Sequence, residues 1–126
     1  MKKNSKKKVI RDIQKGKIYI QASFNNTIIS ITDQNGAVLG WSTAGSSGFK
    51  GTKKSTPYAA QIAMKNVLDA VAPHNIKIVD IFVSGVGSGR DAAFRALVGN
   101  DIEINLIKDI TPIPHNGIRP KKPRRV

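Results

Sequence analysis

The sequence predicts an α/β fold: a single domain with a mixed sheet in the order β-β-β-α-β-α-β, helices packed on it, and a basic tail at either end. Three observations carry that prediction. From Lys17 to Thr43 apolar and polar residues alternate in short runs, the period of half-buried strands. From Pro57 to Val71 apolar residues recur at helical spacing. Lys and Arg outnumber acids 21 to 8, for a net charge of +13 in 126 residues, and they gather at the termini and in one internal loop. The expected divisions are a basic arm over 1–16, an α/β domain over 17–111 and a basic tail over 112–126, one core's worth of chain once the tails are set aside.

In order along the chain, Ile18, Ile20, Ala22 and Phe24 are expected to share one face of the first strand, with Lys17, Tyr19, Gln21 and Ser23 on the other. Asn25-Asn26 supplies a turn, since Asn tolerates left-handed backbone and bonds its own main chain. Thr27 to Thr32 is a β-branched second strand, and Asn35-Gly36 marks a hairpin into a third, Ala37 to Thr43. A loop over 44–55 leads to Ser55 or Thr56, either of which can cap a helix opened by Pro57 and closed by Pro73. Ile76 to Ser84 is apolar on both sides except at Lys77 and Asp80, as expected of a central strand covered on both faces. Gly85 to Gly89 turns the chain into a short helix, Arg90 to Val98, closed by Gly99-Asn100. Ile102, Ile104 and Leu106 alternate in a last strand, and the strand-helix-strand crossovers imply parallel pairing.

The charge distribution points to a polyanion. Lys2, Lys3, Lys6, Lys7 and Lys8 begin the chain; Arg119, Lys121, Lys122, Arg124 and Arg125 end it. Segments so dense in like charge repel themselves and bury nothing, so they are expected to be disordered until nucleic acid meets them. No apolar run follows the basic start, which argues against a secretory signal, and no window is long enough to span a membrane. The chain has no Cys, which removes disulfides, thiolate nucleophiles and most zinc sites.

Two glycine-rich segments invite a nucleotide-binding reading, and both fail it on spacing. Gly85-Val86-Gly87-Ser88-Gly89 has Arg90 where a dinucleotide fingerprint needs its third Gly. Gly40 to Gly45 has the interval of a phosphate loop, but Ser46 replaces the Lys. As a helix start carrying Arg90, with Arg95 further on, the first segment reads instead as a seat for an RNA phosphate. Lys50, Lys53 and Lys54 beside Gly48 and Gly51 suit close contact with a phosphate backbone. His74 and His115 belong to no metal-ligand spacing, and the acids are scattered, so the sequence indicates no enzyme, metal or cofactor. Asp80 needs a partner, for which Lys77 or Arg95 is expected. The aromatics are read as packing residues, leaving backbone and shape recognition as the binding mode.

Longer strings carry a resemblance. Ala22-Ser23-Phe24-Asn25-Asn26-Thr27-Ile28, Trp41-Ser42-Thr43-Ala44-Gly45, Gly48-Phe49-Lys50-Gly51 running into Lys54-Ser55-Thr56-Pro57-Tyr58, Gly85 to Arg90, and Ile110-Thr111-Pro112-Ile113-Pro114-His115-Asn116-Gly117 resemble the S11 family of bacterial small-subunit ribosomal proteins. The resemblance runs from about residue 9 to the last. Ile118 stands where the family often has Cys, and Pro123 interrupts the basic run. It implies a ribonuclease H-like fold without that enzyme's acidic cluster, in a non-catalytic component of the cytoplasmic ribosome's small-subunit platform. Such a protein would bridge rRNA helices and help form the cleft for the Shine-Dalgarno helix, with mRNA nearby. Ribosomal proteins seven and eighteen and initiation factor three would be neighbours, and no membrane is involved. Carried over residue by residue, RNA contact falls on Asn25, Asn26, Lys50, Lys53, Lys54, Arg90, His115, Asn116, Arg119, Lys121, Lys122, Arg124 and Arg125. Charge alone also allows a DNA-binding architectural protein, though no helix-turn-helix or basic zipper is present.

Overall fold

Alternation in the first part of the domain is realised as an antiparallel meander of β1 (Lys15–Ala22), β2 (Thr27–Asp33) and β3 (Val38–Thr43). Helix α1 (Pro57–Val71) follows, then β4 (Ile78–Gly85), α2 (Gly89–Val98) and β5 (Glu103–Asp109). The computed structural model describes residues 14–100 and 102–123, so the N-terminal arm up to residue 13, with its expected disorder, lies outside the described residues, as do Arg124 and Arg125. The chain order is the expected one. In space the sheet runs β3-β2-β1-β4-β5, with β1 at its centre, parallel to β4, and β4 parallel to β5. Strand β1 begins at Lys15, two residues before the expected domain start.

The core explains the pairing. Ile18 and Ile20 of β1, Ile29 and Ile31 of β2, and Val79, Ile81 and Val83 of β4 point to one side of the sheet and are buried. Against them lie Ala60, Ala63, Met64 and Val67 of α1 and Ala92, Ala93 and Leu97 of α2. Alanines on both helices let the backbones approach closely, and no ring is needed to fill the space. Fully burying each Ile is worth roughly 1.5–3 kcal/mol.

Both helices therefore pack on the same face, which corrects the expectation for β4. Its burial alternates, with Val79, Ile81 and Val83 inside and Ile78, Asp80 and Phe82 half-buried on a face that no helix covers. Its apolar character on both sides reflects a stack: Phe82 lies against Tyr19 of β1, ring centroids 5.2 Å apart. Nor is Asp80 paired with Lys77 or Arg95. Its carboxylate accepts from Asn105 Nδ2 at 3.1 Å, across the β4–β5 pair.

Capping follows the sequence closely at one helix and less so at the other. Thr56 Oγ1 accepts from Ala59 N–H at 3.2 Å, and Pro57 occupies the first turn of α1. Helix α2 begins at Gly89, and Gly99 closes it in right-handed rather than left-handed conformation. Asn100 does the capping there, its side chain donating to the Ala96 carbonyl at 2.8 Å. At the β2–β3 hairpin, Gly36 takes the left-handed conformation (φ +93°), and Asp33 Oδ1 accepts from the Asn35 and Ala37 N–H groups, both at 2.9 Å.

Candidate nucleic-acid interface

Strand direction decides where the loops gather. β1, β3, β4 and β5 all end at the same end of the sheet, where β2 begins. The β1–β2 turn, the lysine loop, the glycine turn and the root of the C-terminal tail consequently share one pole. Both α1 and α2 start there as well, so two positive dipole ends face the same way. That arrangement suits an anion.

The β1–β2 turn is held by a residue the sequence reading passed over. Ser23 Oγ accepts from the N–H groups of Asn25 and Asn26, at 3.3 and 3.1 Å. Asn26 Oδ1 accepts from the N–H of Thr27 at 2.8 Å, so that side chain is partly committed to its own backbone. Asn25 is exposed. Phe24, expected in the core, projects from the turn and is 79% exposed, because the strand has ended at Ala22 and alternation no longer governs direction.

The lysine loop is a built structure. Thr43 and Ser46 exchange backbone and side-chain hydrogen bonds, Ser47 Oγ accepts from Asn66 of α1 at 3.0 Å, and Phe49 meets Tyr58 edge-on. A tight turn over Gly51–Ser55 leaves Lys53 exposed and Lys54 half-buried, with Lys50 exposed just before it. Ser88 Oγ, at the start of α2, donates to the Ser55 carbonyl and joins this turn to the glycine turn. Between the β1–β2 turn and the lysine turn, Phe24, Asn25, Gly51, Lys54 and Ser55 line an open cleft of about 350 Å³.

The glycine turn is dictated by close approach. A Cβ at Gly85 would sit 1.9 Å from the Ala22 carbonyl oxygen, and one at Gly89 would lie 2.1 Å from Thr27 Oγ1. The sequence pattern is thus explained by packing against the β1–β2 turn. Arg90 does not stand free above it: Nη1 donates to the Gly85 carbonyl at 2.9 Å and Nη2 pairs with Asp109 Oδ2 at 2.5 Å. Arg95, expected to add charge to the same seat, lies in the last turn of α2, well away from the helix start.

Asp109 and Thr111 anchor the tail. Asp109 Oδ1 accepts from the Thr111 N–H at 2.9 Å and from its hydroxyl, which in turn accepts from Gly85 N–H at 3.1 Å. The Asp-x-Thr spacing is the available sequence signal for this turn. The hydrogen bond from Arg90, followed by those from Thr111, holds the Asp109 carboxyl well below the usual carboxylate range. The folded pKa being the lower one, this contribution is complete above the unfolded value of about 3.9 and is lost as pH falls below it. Asp109→Asn is accordingly expected to separate from the parent in melting temperature at neutral pH. The two curves should draw together progressively as pH falls below about 4, which thermal melts at a series of pH values would check.

Of the expected contact residues, Asn25, Asn26, Lys50, Lys53, Lys54 and Arg90 come together at this pole, and the tail leaves from it. His115, Asn116, Arg119, Lys121 and Lys122 are all exposed, with Asn116 in left-handed backbone (φ +53°). Among the described residues no group of three or more His, Cys, Asp or Glu is placed to hold a metal ion. The aromatics depart most from the sequence reading: Phe24, Trp41 and Tyr58 are exposed, and Tyr19 and Phe82 lie half-buried on the uncovered sheet face.

The sequence matches the family described as Ribosomal protein S11 over residues 16–125. It is 53% identical over 123 residues to a small ribosomal subunit protein uS11 of Borreliella burgdorferi (strain ZS7), covering 98% of this chain and 95% of that one. A small ribosomal subunit protein uS11 of Thermosynechococcus vestitus (strain NIES-2133 / IAM M-273 / BP-1) is 52% identical over 125 residues, with 99% and 96% covered. Mesostigma viride contributes a small ribosomal subunit protein uS11c, 54% identical over 120 residues, with 95% and 92% covered. A pole of loop backbone, lysines and two helix starts, on a sequence matched almost from end to end, leaves one assignment: the chain belongs to the ribosomal protein S11 family.

Proposed function

We propose that the protein binds small-subunit rRNA through its loop-bearing pole and tail, bridges several rRNA helices on the platform of the subunit, and helps form the cleft that holds the Shine-Dalgarno helix. Family membership makes it a small-subunit ribosomal protein and a structural component, not an enzyme. Ribosomal proteins seven and eighteen, initiation factor three and passing mRNA are the neighbours this reading gives it, in the cytoplasmic ribosome. No helix among the described residues is long and apolar enough to cross a membrane.

The observation that carries the reading is the convergence of Lys50, Lys53 and Lys54, the Asn25-Asn26 turn and the starts of both helices at the pole from which the tail departs. A rigid body with cations on separate loops touches several backbone segments at once, which is what bridging requires. Binding should weaken steeply with salt. Replacing Lys50, Lys53 and Lys54 together by Ala is expected to reduce the log–log salt slope by about 2–3. Thermal unfolding should be little altered, since among the described residues no hydrogen bond or ion pair of the three side chains holds the loop. Filter binding to an rRNA transcript at several salt concentrations measures the slope; an unchanged slope would move the interface away from this loop.

A further inference from the structure

We propose that the uncovered face of the sheet is a second RNA-contact surface, on which Trp41 receives an unstacked base. The proposal rests on the rRNA reading above and extends it to a part of the molecule the loops do not reach. Strand register places Trp41, Ser30, Tyr19, Phe82 and Lys108 in one row across all five strands. Tyr19 and Phe82 stack on each other with an interplanar angle of 18°, so their facing surfaces are already taken. Trp41 stands at the end of the row beside the small Ser30 and is 62% exposed, leaving its indole available.

The chemistry of the face favours RNA over a protein partner. Apolar side chains here are interrupted at every step by Ser30, Gln21 and Ser84, whose hydroxyl and amide groups match ribose 2′-hydroxyls. Lys108 lies in the row, and Lys17 Nζ sits 6.0 Å from the Phe82 ring centre. Neither this row nor the next one toward the pole contains a carboxylate, and Asp80, one row further back, is bonded by Asn105. The charge therefore complements a polyanion.

Position supports the same occupant. The N-terminal arm joins β1 at Lys15, at the end of the sheet opposite the pole, whereas the C-terminal tail leaves at the pole. An RNA gripped at both attachments must travel the length of β1, about 26 Å. The helices block one face, and the other lies open along that path.

Trp41 is the sole tryptophan, so intrinsic emission reports on this surface alone. Titration of the full-length protein with a small-subunit rRNA transcript is expected to quench that emission with the midpoint found by filter binding. Trp41→Ala should weaken binding roughly 5- to 100-fold, Trp41→Phe should recover most of the loss, and the salt slope should stay unchanged because no charge is removed. Full-strength binding with silent emission and a normal Trp41→Ala variant would overturn this proposal and leave the rRNA reading intact. Failure of the unaltered protein to bind the transcript would overturn both. An emission change that follows protein concentration without RNA would reassign the face to contact between copies, also against the proposal.

Discussion

Gly85→Ala is expected to lower the stability of the domain by about 2–5 kcal/mol, combining roughly 1–2 kcal/mol of backbone strain with 1–3 kcal/mol of overpacking. The strain arises because Gly85 has φ +89°, a conformation L side chains rarely adopt. The overpacking arises because the new methyl group would fall 1.9 Å from the Ala22 carbonyl oxygen, which is backbone at the end of the central strand and has no rotamer to move. At about 4 °C per kcal/mol for a domain of this size, the melting temperature should fall by roughly 8–20 °C. Gly36→Ala is the matched comparison. Its φ is +93°, but nothing lies within 4 Å of the added carbon, so only the strain component is incurred. Melts of the two variants side by side separate clash from strain. Equal losses would show that the β1–β2 turn gives way freely, and that Gly85 is required only for its backbone angle.

The second large effect concerns binding. Ending the chain after Gly117 removes Arg119, Lys121, Lys122, Arg124 and Arg125. If each neutralises one phosphate, the log–log salt slope should fall by about 3.5–4.5, a greater change than any single loop residue could produce. The domain should melt as before, because residues 112–123 are exposed and the Arg90–Asp109–Thr111 anchor lies upstream of the cut. Measuring both quantities on one preparation is decisive. A truncated chain with the parent's slope takes the tail out of the mechanism, and one that melts early shows that the tail also supports the fold.

Much of the fold was legible because local rules and tertiary packing agree in this chain. β-Branched alternation gave the meander, and the Thr56-Pro57 start and the Ala60, Ala63, Met64, Val67 stripe gave α1. Legibility failed where a side chain's surroundings come from another strand. Phe82 has the hydrophobicity of a buried residue, but its partner Tyr19 belongs to β1, and register between distant strands is not written in either segment. Asp80 was matched to a cation by charge, and the fold supplied the amide of Asn105 across a bulged β4–β5 pair. For the candidate interface, residue type identified Lys50, Lys53 and Lys54, while their convergence with Asn25 and the helix starts required strand directions. Arg90 shows the limit most clearly: a cation at a helix start suggests a ligand, and only the return of β5 reveals Asp109 waiting beside it.

The placement of the two extremities also has a mechanical side. Residues before Lys15 feed the middle of the sheet at one end, and those after Asp109 leave an edge strand at the other, with β1, β4 and β5 all running the same way. Tension between two anchored ends would therefore act along the strand axes. It would load the bonds of both intervening ladders side-on and together, instead of unzipping them in turn. A body built like this would be stiffest along that line, as a tie-rod is.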